Sequence, residues 1–572
     1  MKKLTLAISL LLCVVFCVFS FTACSKKNKK KDPEPSNTGT DVTTDRWEVL
    51  GPEVKAALSE DARTFTIQLS AFGDAEKTSK NDKYVAGPDE ETVKKGKADS
   101  IGLKVYDRNS KAKQLLGMNV TYTYWDDPTL GWGKQAGKIV TLVTTKADDA
   151  PDVFVDMLYD LNMALLSDGV FKDILSLPGS YFDFSSKGWM KEWMDSLSFT
   201  GDRAYVLGGD YFMDIFRNMG VLPFNADLMD LNASKLAPAL FGEDLAAGES
   251  MSQRFFDFVE DGEWTWEALG KLCEAIWVDG GGTAGQSDFN DTLGIIAESY
   301  SGMPSALMLY SAGVSIVQVE KNPVTGVQTL SYPSESTLLG DIFDAVAGVF
   351  NGDGALVTTH GGGNNDPGIA EHYAKFAENT LLFADPSLLG TLEDDVFQQM
   401  EALYSVVPLP KVSVDNKYNT VIHNTADVGA INVHVSKEKA SAISAYLQYC
   451  AEHSAAIRTE FLEIVTKFKT TNYNQGTDRM LDLIYDSVIN ALDKALDDAV
   501  DCIPGGRELR FHSMMKEGKY VRGSDYIVTD YTSTVQSKQS IVNEILDKWM
   551  ALPTASTETP EETPAPEETP AE

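Results

Sequence analysis

Residues 151–174 read "PDVFVDMLYDLNMALLSDGVFKDI". Within them "DVFVDML" (152–158) is a short apolar run closed by acids, which fits a buried strand. A helical pattern over 160–170 follows at once. A buried strand running straight into a helix is the unit from which open α/β sheets are built. Ligands of such sheets bind outside the carboxyl ends of the strands. That rule makes Asp156, Tyr159 and Asp160 the first candidate ligand residues. Asp160 has a second reading, as a cap of the helix that follows it.

Moving outward, "FTIQLS" (65–70) and "NVTYTYW" (119–125) alternate apolar and polar residues, as half-buried strands do. "TWEALGKLCEAIW" (265–277) sets Trp266, Leu269, Leu272, Cys273, Ile276 and Trp277 on one helical face, with Thr265 as N-cap. "SKEKASAISAYLQYC" (436–450) repeats the scheme, with Ser436 as cap and Cys450 on the apolar face. Cys273 and Cys450 therefore read as buried thiols. Beyond about 450 strands are scarce, and helix patterns dominate at 475–498 and 534–550.

The ends differ from this body. Lys2 and Lys3, the apolar run Leu4–Phe21 and the small residues Thr22 and Ala23 precede Cys24. That order is the order of a secretory signal, and an uncleaved membrane anchor is its alternative. Residues 25–45 are polar and rich in Lys, Pro, Ser and Thr, a flexible tether. Residues 553–572 form an acidic Pro-Glu-Thr repeat with no apolar face to bury. With 49 basic against 84 acidic residues the net charge is −35, which repels nucleic-acid phosphates. The body has no CxxC pair and an odd number of cysteines, so no disulfide framework is expected.

The order of these landmarks resembles that of family 1 extracellular solute-binding proteins, the sugar-binding type that serves ABC transporters. "PDVFVDMLYDLNMALLSDGVFKDI" is similar to the family's third strand and its helix. "SFTGDRAYVLGGDYF" (198–212), "VLPFNADLM" (221–229), "GEWTWEALGKLCEA" (262–275), "NTLLFADPSLLGTL" (379–392), "YSVVPLPK" (404–411) and "DVGAINVHVSKEKASAISAYLQYC" (427–450) follow in family order. Phe224 and Ala226 depart from the family's Tyr-Asn-Lys, and the region 80–100 looks like an insertion. The end of the signal resembles a lipoprotein box with Cys24 as the lipidated residue, Phe21 standing where Leu is usual.

The resemblance implies an α/β, two-lobe, periplasmic-binding-protein-like fold with a hinge and a helix-rich C-terminal region. Its divisions would be 1–23 signal, 24–45 tether, 46–212 first part of lobe 1, 213–415 crossing and lobe 2, 416–455 return to lobe 1, 456–552 helical region and 553–572 tail. It implies a monomer tethered to the outer face of the cell membrane by lipid, capturing a carbohydrate, most simply an oligosaccharide, for permease subunits. No cofactor and no metal are expected.

A sugar needs hydroxyl partners and flat aromatic cover from convergent loops. Besides Asp156, Tyr159 and Asp160, the candidates are Tyr124 and Trp125 at one strand end and Phe72 and Asp74 at another. Asp210 and Tyr211 precede the crossing, Phe383 and Asp385 end a strand of lobe 2, and Asn424 lies on the return. Trp264 and Trp266 read as packing at a helix start. Gly280, Gly282 and Gly285 fit GxGxxG formally but follow a helix, not a strand. No P-loop lysine, HExxH pair or GxSxG elbow is present. Two other functions stay open: a surface glycoside hydrolase with paired carboxylates, and a ligand-binding sensor without transport.

Overall fold

The structure is a computed structural model that describes residues 45–70, 82–125, 130, 133–167, 169–282, 285–298, 302–315, 317–331, 337–358, 367–467, 474–501 and 526–552. In chain order the elements that shape the site begin with β1 (Thr64–Leu69), α1 (Ser100–Leu116), β2 (Asn119–Tyr124), α2 (Gln135–Thr144), β3 (Val153–Met157) and α3 (Leu158–Ala164). Then come β4 (Gly220–Asn225), α4 (Trp266–Ile276), β5 (Leu293–Glu298), α5 (Gly302–Tyr310), β6 (Gln318–Lys321), β7 (Gln328–Ser331) and α6 (Thr337–Phe350). The series continues with β8 (Ala355–Thr358), α7 (Ile369–Ala377), β9 (Leu381–Phe383), β10 (Ser387–Leu388), β11 (Tyr404–Val407), β12 (Asp427–Ile431) and α8 (Lys437–Glu452). It closes with α9 (Asn474–Asp486), α10 (Leu492–Asp501) and α11 (Tyr526–Ala551).

Two principal sheets result. In lobe 1 the order is β12-β3-β1-β2, with β1 parallel to β2 and β3 and only β12 antiparallel. In lobe 2 the order is β10-β4-β9-β5-β8, with β11 also on β4 and β5 parallel to both β8 and β9. Parallel strands need helical crossovers that cover their faces, so the strands read as nearly unbroken apolar runs. All five residues of β3 are buried accordingly. The alternating strand β2 is half-buried, in keeping with its place at the sheet edge.

Helix ends follow local chemistry. Thr265 accepts from Ala268 N and Ser436 from Lys439 N, each satisfying an otherwise orphaned donor. The faces these caps start bury Trp266, Leu269, Leu272, Cys273 and Ile276 in one lobe and Ile443, Leu447 and Cys450 in the other. Both cysteines are free and buried. The C-terminal helix pattern divides into α9 and α10 where a single span was expected, because residues 487–491 break it.

Two chain segments pass between the sheets and bond to one another. His423 N donates to Asn218 O (2.8 Å), Gly220 N to Val421 O (2.8 Å) and Thr425 Oγ1 to Asn218 Oδ1 (2.6 Å). Asp427 N donates to Asp214 Oδ2 (3.1 Å). The pair is a short, side-by-side connection of the kind about which two domains hinge. Among the described residues no helix is long and apolar enough to cross a membrane; Cys24, the signal and both tails lie outside them.

Candidate functional site

The carboxyl end of the lobe 1 sheet carries a cluster of buried polar groups. Asp156, in β3, is 1% exposed. Its Oδ1 accepts from Met157 N at 2.8 Å, and the Gln135 amide reaches its two oxygens at 2.9 and 3.2 Å. Burial pushes this carboxyl well above the usual range, the neighbouring Asp160 adds to the rise, and bonds from Met157 N and Ser70 oppose it.

Asp160 does not cap its own helix. Its Oδ1 accepts from Ala136 N at 2.8 Å, so it caps α2 from a different segment of chain. Burial raises its pKa to about 6 against the pull of the Ala136, Gln135 and Gly133 N–H groups. Gly133 has φ +71°, and a Cβ there would stand 2.9 Å from the Tyr159 ring. Tyr159 N donates to Asn424 O at 3.0 Å, tying the start of α3 to the return segment. The Asn424 side chain in turn donates to Asp498 Oδ1 at 2.5 Å.

Tyr124 and Trp125 are half-buried at the end of β2. Trp125 meets Phe154 edge-on at 6.5 Å, and Lys138 Nζ lies 4.7 Å from its ring centroid. The structure thus brings Asp156, Tyr159, Asp160 and Asn424 together, with Tyr124 and Trp125 on the same sheet end. Phe72 and Asp74 lie outside the described residues.

Asp210 and Tyr211 sit elsewhere, which corrects their expected place in a cleft. Asp210 pairs with Arg458 Nη1 (3.0 Å to each oxygen), and burial still lifts its pKa to about 7. Tyr211 is fully buried, its hydroxyl 3.3 Å from that of Tyr122 and its ring 4.8 Å from the Arg108 guanidinium. Both belong to the packing of lobe 1.

The lobe 2 end is closed by its own side chains. Phe383 is fully buried and stacks on Trp264 at 5.6 Å, so it is core and not a ligand platform. Asp385, also fully buried, accepts from Glu298 N at 2.7 Å through Oδ1 and pairs with His372 Nδ1 through Oδ2. His372 Nε2 lies 3.1 Å from Thr358 Oγ1. Burial raises the Asp385 carboxyl, and the His372 bond and charge offset part of the rise. Four elements are tied by this clasp: the ends of β5, β8 and β9, and α7.

Sequence reasoning missed Gln135, Glu298, Thr358, His372 and Asp498. Only His372 left a trace, as a histidine on the apolar face of "IAEHYAKFA". A groove of about 730 Å³ lies between α4 and α6, lined by Trp266, Lys271, Asp341 and Val349 among others. None of the candidate ligand residues lines it. Among the described residues no group of His, Cys, Asp and Glu is placed to hold a metal ion.

The fold and the crossings define a two-lobe α/β protein with buried polar groups at the strand ends of both sheets. Solved structures similar to it include the galacto-N-biose-/lacto-N-biose I-binding protein of the ABC transporter from Bifidobacterium longum, in complex with lacto-N-biose. The two share 12% identity over 84% of this chain and 97% of that one, with a TM-score of 0.45. A family 1 extracellular solute-binding protein from Bifidobacterium longum subsp. infantis matches at 12% identity over 86% and 99%, TM-score 0.43. A Streptococcus pneumoniae solute-binding protein, solved with the blood group A-trisaccharide, matches at 12% over 83% and 100%, TM-score 0.42. No protein-family profile and no curated relative matches the sequence.

Proposed function

We propose that the chain is a solute-binding protein anchored by lipid on the outer face of the cell membrane, which captures a carbohydrate between its lobes and delivers it to an ABC permease. The observation that carries this reading is the joining of two α/β sheets by two mutually bonded crossing segments, with carboxylates, an amide and aromatics at the strand ends of lobe 1. Hinge closure stores ligand because a guest touching both lobes stabilises only the closed form. Carboxylates and amides suit hydroxyls, and an indole such as Trp125 suits the apolar face of a sugar ring. The sequential order of motifs from 151 to 450 supports the same class, and the Cys24 box supports the anchor.

Titration of the purified body with a panel of neutral mono- to trisaccharides tests the proposal by thermal shift. A true ligand at 100 times its dissociation constant adds about 2.7 kcal/mol of stability. Trp125→Ala should then weaken binding at least about tenfold, the loss of one ~1.4 kcal/mol contact, with little change in the melting temperature of the free protein. Conversion of an oligosaccharide to shorter products would replace carriage with hydrolysis. For the anchor, Cys24→Ser should abolish incorporation of labelled fatty acid and release the protein from the membrane fraction.

A further inference from the structure

The groove between α4 and α6 lies apart from the candidate ligand residues and holds about 730 Å³. Its two helices pack together and run in the same direction. A Cβ at Gly270 would stand 3.8 Å from Val349 Cγ2, and one at Gly352 would stand 3.5 Å from Glu274 Oε1. Glycines at 270 and 348 keep the floor deep, and no atom lies within 4 Å of a Cβ built at Gly348. Val314, Val349 and Val412 make that floor apolar.

Carboxylates rim the groove. Glu267 pairs with Lys271 one turn along at 2.7 Å. Glu274, Asp341 and Asp344 are exposed and pair with no cation among the described residues. The helical rise from Asp341 to Val349 and from Gly270 to Glu274 spreads these acids over about 18 Å. That is the length of about five extended residues, too long for one compact ion. Trp266 lines the same groove, is 0% exposed, and its indole N–H has no acceptor. A buried donor left unmet is costly, so an occupant that brings an acceptor gains there. An aliphatic polyamine offers cations alone. A peptide with Lys or Arg side chains offers cations and carbonyl acceptors, and its methylene stems cover the valines.

We propose that this groove docks a basic segment of a partner protein, laid extended along α4 and α6 with its cations on Glu274, Asp341 and Asp344. A backbone carbonyl of the segment accepts from Trp266 Nε1. The summed charge of −35 draws such a partner in, and the groove fixes where it settles. The proposal rests neither on the identity of a carbohydrate nor on the residues at the end of β3.

A labelled peptide of alternating lysine and alanine, titrated against the full mature chain at low salt, tests this, with a glutamate–alanine peptide as control. Glu274→Gln, Asp341→Asn and Asp344→Asn together should weaken binding at least about tenfold. Added salt should weaken the wild type more than this variant. Neutralising three other exposed acids instead, by Glu53→Gln, Glu60→Gln and Asp61→Asn, should leave affinity within about twofold. Gly348→Leu places a side chain in the groove where a Cβ meets nothing, and should cost about tenfold at unchanged melting temperature. The peptide should also shift one indole N–H resonance, the one missing from Trp266→Phe. The proposal is overturned if the two triple variants bind alike, which would leave only diffuse attraction to an acidic chain. It is equally overturned if the Trp266 resonance stays in place, if Gly348→Leu binds as the wild type does, or if spermidine binds as tightly as the peptide. Sugar binding, present or absent, leaves this result standing.

Discussion

The carboxyl ends of the two sheets solve the same problem in opposite ways. Both present a buried aspartate at a strand end, Asp156 within the last residues of β3 in lobe 1 and Asp385 just past β9 in lobe 2. In lobe 2 the carboxylate closes a chain of bonds through His372 to Thr358 and takes the Glu298 N–H, which locks three strand ends to a helix. In lobe 1 the carboxylates are held by an amide and by helix α2's free N–H groups, next to aromatics that remain half-buried. A clasp made of charge-bearing side chains is rigid and leaves little capacity for a guest. The lobe 1 carboxylates are just as buried, and the side-chain surface left partly open beside them is that of Tyr124 and Trp125.

Three perturbations bear on that contrast. The largest effect is expected at the clasp. His372→Ala leaves Asp385 buried without its partner, a loss of about 3–5 kcal/mol, read as a drop in chemical-denaturation midpoint. The deficit should grow as pH rises, because a buried acid whose folded pKa is raised is most costly when ionised. Stability equal to wild type would mean the clasp does not hold the lobe 2 end.

Gly133→Ala comes next. A Cβ there meets the Tyr159 ring in a left-handed backbone position, and about 1–3 kcal/mol is lost. Unlike the clasp variant, it should also displace the start of α3 and change the near-ultraviolet tyrosine signal.

The smallest effect is Asp160→Asn. Burial lifts the wild-type carboxyl in the folded state to about 6 from its ordinary 3.8, so the native state binds more protons between those values. Its contribution to stability is favourable in acid and is lost as pH rises through 6. Asn keeps an oxygen for Ala136 N and does not ionise. The variant should therefore flatten the stability profile between pH 4 and 6, and an unchanged profile would remove Asp160 from the titrating set.

Several features were legible in the sequence because they depend on neighbours along the chain. Thr265 and Ser436 were readable as caps, since a cap bonds three residues ahead within the same segment. The strands of lobe 1 were readable from alternation and apolar runs, and the two thiols from their helical faces. The reading of Asp160 as a cap of its own helix failed for the converse reason. Its partner Ala136 lies 24 residues upstream, and no local pattern connects them. Phe383, at a strand end, and Tyr211, before the crossing, were candidates for the cleft, but aromatic packing in each lobe took both into the core.

The amino-acid pattern by itself determined the strand–helix alternation, the caps, the acidic surface and the distinct character of both tails, because these follow from short-range sterics, periodicity and summed charge. Only the tertiary structure decided which carboxylates are closed off, where His372 bonds, and that α4 and α6 frame one acidic groove. Those outcomes turn on contacts between residues tens to hundreds of positions apart, whose energies depend on burial and distance that composition does not encode.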